Sequence, residues 1–291
     1  RVRVGASGTG RAPMRLKPYL DLARISNSPT VASNALVGLA LAGYVALDAH
    51  AALVAGAMVC FYTAGMVLND VLDLEIDRRE RPTRPLPSGQ VPLQAAWTMT
   101  VVLFVVGSAM LAVTGWPAFV AGLVLIALIV LYDVWHKTNP LSPLVMALTR
   151  AMVYLTAFAS LTTAWTLDLG LAALMLLGYI VGLTFIAKQE GTPGVLARWP
   201  LLLLVLPALV YAFQVPLGWM SVLPLLLFGW VVLCYGWLRR GQVCLAIGRL
   251  IAGVALLDAV LLASAGWSIG VLVALGLFVL TLILQRWVRG T

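Results

Sequence analysis

The sequence predicts an all-α integral membrane protein built as a bundle of transmembrane helices. Of its 291 residues, 62% are hydrophobic and only 10% are charged, and the mean hydropathy is +1.00. A soluble domain of this length would need a charged surface, and the chain lacks the residues to form one. The hydrophobic residues also lie in long stretches that are separated by short polar connections. Both observations indicate a polytopic protein that crosses the bilayer many times.

Ten apolar stretches are candidates for the crossing helices, because a spanning helix takes about 20 mostly apolar residues. Glycine and proline are frequent in and between them, as transmembrane helices tolerate. Residues 1–24 precede these stretches as a basic segment without an evident signal peptide, so 25–291 is the predicted membrane domain. The candidate stretches are 25–47, 51–68, 93–114, 117–135, 142–164, 169–187, 199–214, 218–238, 243–265 and 268–287.

Basic residues mark one side of the predicted bundle. Every lysine and arginine can be assigned to that side, and the connections on the other side contain none. Under the positive-inside rule, both termini and the polar segment after the second stretch face the cytoplasm, as expected in a bacterial-type inner membrane. Topology thus explains the net charge of +8, and no nucleic-acid partner is expected. Tryptophans stand at the lysine-free ends, as an interfacial aromatic belt requires: Trp116, Trp165, Trp219 and Trp267.

One polar segment concentrates the acidic residues of the chain. Five of the eleven acids lie between Asp70 and Glu80, directly after the second stretch. Asn69, Asp73 and Asp77 recur every four residues, so on a helix they share one face. Oxygen ligands on one face suit Mg²⁺, which in proteins normally also binds a substrate phosphate. Four arginines follow within 78–84 and supply planar donors for phosphate oxygens. The alternative is a solvated loop whose acids pair with its own arginines.

The order of these residues resembles a known family motif. Asn69-Asp70-x-x-Asp73-x-x-x-Asp77, followed by Arg81-x-x-Arg84-Pro85-Leu86-Pro87-Ser88-Gly89, is similar to the first aspartate-rich motif of the UbiA superfamily of intramembrane prenyltransferases. Arg24 and Tyr132-x-x-x-x-Lys137 agree with that family in order. The resemblance implies an all-helical bundle with a central cavity that opens laterally to lipid-like substrates. Nine spans are usual in the superfamily, whereas this chain has ten candidate stretches, so nine or ten spans are expected. It also implies that Mg²⁺ is held against an isoprenyl diphosphate.

The resemblance assigns roles to particular side chains. The expected metal ligands of the first motif are Asn69, Asp70, Asp73 and Asp77. The expected catalytic set consists of three of these and one lysine: Asp70, Asp73, Asp77 and Lys137. The expected substrate-binding residues, most of them diphosphate contacts, are Asn69, Arg24, Arg81, Arg84, Tyr132, Lys188 and Arg150.

The second aspartate-rich motif of the superfamily departs from its usual form in this chain. It should close the sixth stretch, where residues 185–191 contain a single acid, Glu190. Glu190 is expected to reach a metal ion through water, and Lys188 would replace part of the charge of a second ion. The alternative is that Lys188 only anchors the helix at the cytoplasmic surface.

Three further pieces resemble the EboC-type branch of the superfamily: residues 131–137, Arg150 and residues 257–259. An ionisable side chain inside a span is unfavourable unless it faces a cavity or a partner. Asp258 is therefore predicted to be a polar group of the cavity. Arg150 either contacts substrate or extends towards the cytoplasmic interface.

The expected activity is that of a Mg²⁺-dependent prenyltransferase in the bilayer. Metal and cationic side chains would neutralise the diphosphate as it leaves, and a lipid-soluble or small acceptor would capture the allylic cation in a cavity that excludes water. Two alternatives use the same features. The protein would instead be a UbiA-like membrane carrier, or a protein that binds lipid diphosphate without turnover.

Overall fold

The computed structural model describes residues 16–136, 139–188 and 198–288, and these ranges contain helices, turns and no strand. Lys137, Glu190 and residues 1–15 of the basic amino-terminal segment lie outside them. The helices are α1 (Leu16–Leu22), α2 (Ser28–Leu41), α3 (Ala49–Leu72), α4 (Leu74–Glu80), α5 (Leu93–Thr114), α6 (Trp116–Trp135), α7 (Ser142–Ala159), α8 (Leu167–Lys188), α9 (Trp199–Tyr211), α10 (Leu223–Arg239), α11 (Val243–Ser264) and α12 (Ser268–Leu284). Short 3₁₀ turns precede α2 (Ile25–Asn27) and α10 (Trp219–Val222).

Each of the ten predicted stretches coincides with one apolar helix of the described ranges. Seven are long and apolar enough to cross a bilayer: α3, α5, α6, α7, α8, α11, and α10 together with the 3₁₀ turn before it. The other three are shorter, since α2 has 14 residues, α9 has 13 and α12 has 17. The prediction of an all-α membrane bundle is confirmed, and its nine or ten spans agree approximately with this set of helices.

The first predicted stretch ends earlier than expected. It was predicted to run through residue 47, whereas α2 ends at Leu41. Gly43 follows with φ of +82°, a left-handed conformation that favours glycine and ends the helix. Asp48 then accepts a hydrogen bond from the Ala51 backbone N–H at 3.2 Å and caps α3.

Two helices form the centre of the bundle. In α2, 12 of 14 residues are buried, and in α11, 15 of 22 are buried. Helix α2 packs against α3, α7, α11 and α12. By contrast, only four residues of α5 and four of α6 are buried, so their apolar faces point outwards as lipid-facing surfaces do.

The successive crossings bring the connections that contain lysine or arginine to one end of the bundle. We call it the motif end: the end where α3 finishes at Leu72 and α5 begins at Leu93. The connections at the other end contain no lysine or arginine. An apolar groove of about 520 Å³ lies near that other end between α6 and α7, where Trp116, Val124 and Phe158 line it. The central cavity that the family resemblance implies stays a prediction.

Candidate active site

The acidic motif folds as two helices that meet at Asp73. Asp73 ends α3 and begins α4, and its carbonyl accepts the Asp77 backbone N–H at 2.9 Å. The two acids on either side, Asp70 and Asp77, are both 4% exposed. Asp70 and Asp77, seven residues apart, therefore face inwards, although the helix is interrupted between them.

Arginines from two separate segments bind these buried acids. Arg24 donates from Nη2 to Asp70 Oδ1 at 2.8 Å. Arg84 donates from Nη1 to Asp77 Oδ2 at 2.6 Å and lies 3.5 Å from Asp70 Oδ1. Both arginine side chains are about one fifth exposed. Asp70 thus lies between two guanidinium groups, and Arg84 connects it to Asp77.

The loop that follows α4 positions Arg84. Ser88 Oγ donates to the Arg84 carbonyl at 2.6 Å, and the Val91 backbone N–H donates to the Pro85 carbonyl at 3.0 Å. Leu86 is buried in a small apolar cluster with Val71 and Leu74. The Pro-Leu-Pro-Ser-Gly sequence therefore folds into a compact turn that fixes the arginine against α3.

Arg24 occupies an unusual backbone conformation. Its φ of +44° is the only positive value among the described residues other than glycine. Such a conformation is unfavourable by about 1–3 kcal/mol and persists where surrounding contacts impose it. Here the ion pair with Asp70 holds the side chain, and Arg24 Nη1 also lies 3.5 Å from Met66 Sδ.

The other two motif residues face α6. Asp73 lies 3.6 Å from Nε2 of His136, and this neighbouring carboxylate raises the pKa of the imidazole above its usual value. The His136 ring stacks on Tyr132 with centroids 5.0 Å apart. Asn69 donates from Nδ2 to Asp133 Oδ1 at 3.2 Å. The C-terminal turn of α6 therefore closes one side of the motif.

Sequence reasoning missed Asp133 as a residue of the site. It falls within residues 131–137, which resemble the EboC-type branch, but no motif in the sequence marks it as part of the site. The available signal was an acid in the last turn of an apolar helix that ends on the same side as the motif. Such an acid is unfavourable against lipid and therefore turns towards the interior.

The oxygen donors suit Mg²⁺, but they do not form a closed cage. The four predicted ligands do not converge: Asp70 and Asp77 bind Arg84, Asp73 faces His136, and Asn69 binds Asp133. No group of three acidic, histidine or cysteine side chains within the described ranges is placed to hold a metal by itself. Mg²⁺ commonly keeps several waters and takes one or two carboxylates together with substrate phosphates. The donor set fits an ion that arrives with a diphosphate.

The remaining predicted residues lie in different settings. Arg81 is exposed after α4. Lys188 donates from Nζ to Ser142 Oγ at 2.8 Å and so connects the end of α8 to the start of α7. Lys137 and Glu190 lie outside the described residues, so their roles stay predictions.

Asp258 does not line an open cavity, and that prediction is wrong. It is 0% exposed and accepts hydrogen bonds from Ser33 at 2.5 Å, Tyr154 at 2.5 Å and Asn34 at 2.9 Å. Burial would destabilise an isolated carboxylate, and these donors from α2 and α7 compensate. Asp258 is a structural residue that connects three helices.

Arg150 belongs to the same network. It donates from Nη1 to Asn34 Oδ1 at 3.1 Å and to Thr30 Oγ1 at 3.2 Å, and its guanidinium lies 5.3 Å from the centre of the Tyr62 ring. The side chain therefore points into the bundle. Its extension to the cytoplasmic interface is ruled out by this geometry, and substrate contact stays a prediction.

Comparison with known proteins now identifies the family. The UbiA prenyltransferase family matches residues 31–247, about three quarters of the chain. The chain belongs to this family. Its acidic motif, the end of α6 and Arg150 fall within the matched region.

Relatives and solved structures support the assignment. A digeranylgeranylglyceryl phosphate synthase of Saccharolobus solfataricus is 32% identical over 157 residues, which are 53% of this chain and 56% of the relative. The match thus spans about half the length of that protein. The apo structure of a UbiA homolog from Aeropyrum pernix K1 superimposes with a TM-score of 0.63 at 22% identity, over 81% of this chain and 96% of that one. A UbiA homolog from Archaeoglobus fulgidus, solved with GPP and Mg²⁺, gives 0.60 at 14% identity, over 86% and 99%.

Proposed function

We propose that this UbiA family member is a Mg²⁺-dependent intramembrane prenyltransferase. It would transfer an isoprenyl group from a prenyl diphosphate to an acceptor. The observation that carries the proposal is the Arg24–Asp70–Arg84–Asp77 chain of ion pairs at the motif end. Carboxylates for a metal and guanidinium groups for phosphate oxygens meet there at the edge of an apolar bundle.

Arg84 is suited to bind the leaving diphosphate. A guanidinium has five N–H donors in a planar fork, and the ion pairs with Asp70 and Asp77 engage only Nη1. The other donors can bind phosphate oxygens in a bidentate manner while the acids keep the side chain oriented. Arg24, on the other side of Asp70, would supply the second positive charge.

The acids would hold the metal that accompanies the diphosphate. Asp70, Asp73 and Asp77 are the carboxylates of the motif. Asp70 and Asp77 are buried, each with 4% of its surface exposed. When bound, Mg²⁺ would stabilise the charge that develops on the leaving diphosphate. The isoprenyl tail would extend from this polar end among the apolar helices, where exclusion of water protects the allylic cation from hydrolysis.

Other proteins support the substrate class. The Archaeoglobus fulgidus homolog was solved with GPP and Mg²⁺, and the Saccharolobus solfataricus relative is named for digeranylgeranylglyceryl phosphate. We therefore propose a prenyl diphosphate as donor and a lipid-soluble acceptor, with a prenylated glyceryl phosphate as the first to test.

The charge distribution supports one orientation in the membrane. Lysines and arginines lie at the motif end, and the opposite connections have none. We propose that the motif end faces the cytoplasm, so that water-soluble Mg²⁺ and diphosphate reach the site from there.

The decisive experiment is a transfer assay with the purified full-length protein. Dimethylallyl, geranyl, farnesyl and geranylgeranyl diphosphates would be incubated with geranylgeranylglyceryl phosphate, with and without Mg²⁺, and extracted lipids analysed by mass spectrometry. We expect a Mg²⁺-dependent prenylated product that Asp73→Ala abolishes. Diphosphate binding without product for any acceptor would support the binding or carrier alternatives, and absence of binding would overturn the proposed site.

A further inference from the structure

We propose that Asp133 is an additional ligand of the Mg²⁺–diphosphate complex and reaches it from α6. The inference rests on the proposed function and extends it, because it adds a second transmembrane segment to a metal site that the acidic motif alone does not complete. Asp133 lies in the last turn of α6, at the same end of the bundle as Asp70 and Asp73.

Asp133 lies on the inward-facing side of its helix. Helix α6 fully buries only Ala118, Gly122, Leu125 and Asp133, and its other residues are half-buried or exposed. Asp133 is 4% exposed, as buried as Asp70 and Asp77. A helix that turns its single acid away from solvent and lipid presents that acid to a partner.

The hydrogen bonding of the Asp133 carboxylate is incomplete among the described residues. Asp133 Oδ1 accepts from Asn69 at 3.2 Å, whereas Oδ2 is buried and has no hydrogen-bond partner among the described residues. Asp258 shows how the same chain satisfies a structural carboxylate: four hydrogen bonds cover both of its oxygens. Because burying an unpaired carboxylate oxygen is unfavourable, Asp133 differs from Asp258 in needing a partner that these helices do not provide.

Charged and polar groups of the candidate site surround Asp133. Asp73, His136 and Arg24 lie within electrostatic range, and Asn69 contacts it directly. A divalent cation is a partner that can satisfy this oxygen next to another acid, since Mg²⁺ binds carboxylate oxygens directly or through water. The bound complex would then lie between the α3–α4 junction and the end of α6.

This arrangement would also account for the weak second motif. Residues 185–191 offer only Glu190 as an acid, and Glu190 lies outside the described residues. A carboxylate from α6 would contribute negative charge to the metal that the second motif no longer supplies. The clamp on the diphosphate would thus be formed by the first motif and α6.

The test measures metal binding directly. Mn²⁺, a spectroscopically visible substitute for Mg²⁺, would be titrated into full-length protein in the presence of geranyl thiolodiphosphate, an analogue that does not ionise readily. We expect Asp133→Asn to weaken Mn²⁺ binding at least tenfold by electron paramagnetic resonance. Asp168→Asn is the matched control, because Asp168 lies in the first turn of α8 at the other end of the bundle. This variant should bind Mn²⁺ within twofold of the parent protein.

A thiol substitution separates a ligand from a residue that only positions Asn69. In a background in which Cys60, Cys234 and Cys244 are replaced, Asp133→Cys should gain high-affinity Cd²⁺ binding with the analogue present, because a thiolate prefers soft metals. Asp168→Cys should not. The ultraviolet absorbance of the Cd²⁺–thiolate bond reports this without any turnover.

The outcomes distinguish the two proposals. If the parent protein binds Mn²⁺ with the analogue but Asp133→Asn binds equally well, Asp133 is not a ligand and the proposed function survives. The same conclusion follows if Asp133→Cys gains no more Cd²⁺ than the control. If the parent protein itself shows no analogue-dependent Mn²⁺ binding, the proposed function is overturned, and the proposal for Asp133 with it.

Discussion

At the scale of single residues, the site depends on which acid is bonded to which base. Asp70 and Asp77 are buried and paired with partly buried arginines, whereas Glu75 and Arg78 form an exposed pair at 2.6 Å. Distance alone does not separate these pairs. Burial does, because removing one partner of a buried pair leaves an uncompensated charge, while an exposed charge returns to water.

Replacing Arg84 by alanine should therefore destabilise the protein. Asp77 would lose its ion-pair partner at 4% exposure, so we expect the free energy of unfolding to fall by about 3 kcal/mol. Addition of Mg²⁺ should recover part of this loss, since a divalent ion can replace the guanidinium between the two acids. Thermal unfolding in detergent, with and without Mg²⁺, measures both effects.

Arg78→Ala is the matched control for this prediction. Its exposed pair with Glu75 should contribute between zero and about 1 kcal/mol, and Mg²⁺ should not alter its effect. Equal losses in the two variants would contradict the structural role assigned to Arg84.

The sequence could predict the acids but not their pairing. The spacing of Asn69, Asp73 and Asp77 indicates a shared face from local geometry alone. The Arg24–Asp70 bond joins residues 46 positions apart, and the Asn69–Asp133 bond joins residues 64 apart. Such pairings depend on how α3 packs against the start of the chain and against α6, which no local pattern contains.

At the scale of helices, close approach depends on small residues. Gly38 of α2 faces α7, where a Cβ at this position would come within 2.4 Å of the Tyr154 carbonyl oxygen and 2.7 Å of Ala157 Cβ. Lipid supplies no hydrophobic driving force between helices, so such contact through small residues is a main source of their association. Helix α2 can lie at the centre of the bundle because the small residue on this face lets α7 approach closely.

Gly38→Ala should separate α2 from α7. The new methyl group meets backbone atoms, which cannot move aside as a flexible side chain would. We therefore expect the free energy of unfolding to fall by about 2 kcal/mol or more. Gly236→Ala in α10 is the control, because nothing lies within 4 Å of its added Cβ, and alanine there should be neutral or stabilising by up to about 1 kcal/mol. Thermal unfolding of both variants in one detergent checks the difference, and a stable Gly38→Ala protein would refute the packing.

The Asp258 network ties α2, α7 and α11 together. Asp258→Ala should leave the buried donors of Ser33, Asn34 and Tyr154 without an acceptor. We expect the free energy of unfolding to fall by about 3–5 kcal/mol. Ser33→Ala removes only one donor and should lower the free energy of unfolding by only about 1 kcal/mol. A fully stable Asp258→Ala protein that had lost only substrate binding would restore the cavity-facing interpretation.

At the scale of the whole molecule, composition and periodicity predict the fold more completely than they predict the site. Long apolar stretches determine a membrane bundle because each stretch must satisfy its backbone hydrogen bonds internally. Hydropathy does not report which stretch lies at the centre. Helix α2 is among the shortest and contains Ser33 and Asn34, yet it is almost wholly buried, because its polar side chains bind Asp258 and Arg150 instead of lipid or water.

The arrangement of the crossings gives the last prediction. Ten helices that alternate in direction place Ser88 and Arg286 at the motif end, and Thr163, after α7, at the other end. All three positions are exposed, so single cysteines there, in a background lacking Cys60, Cys234 and Cys244, should react with an impermeant thiol reagent according to side alone. Thr163→Cys should be labelled in intact cells, and Ser88→Cys and Arg286→Cys only after the membrane is opened, because the proposed orientation places the basic end in the cytoplasm. Labelling of Arg286→Cys together with Thr163→Cys in intact cells would mean that one of the two short helices between these positions, α9 or α12, does not cross.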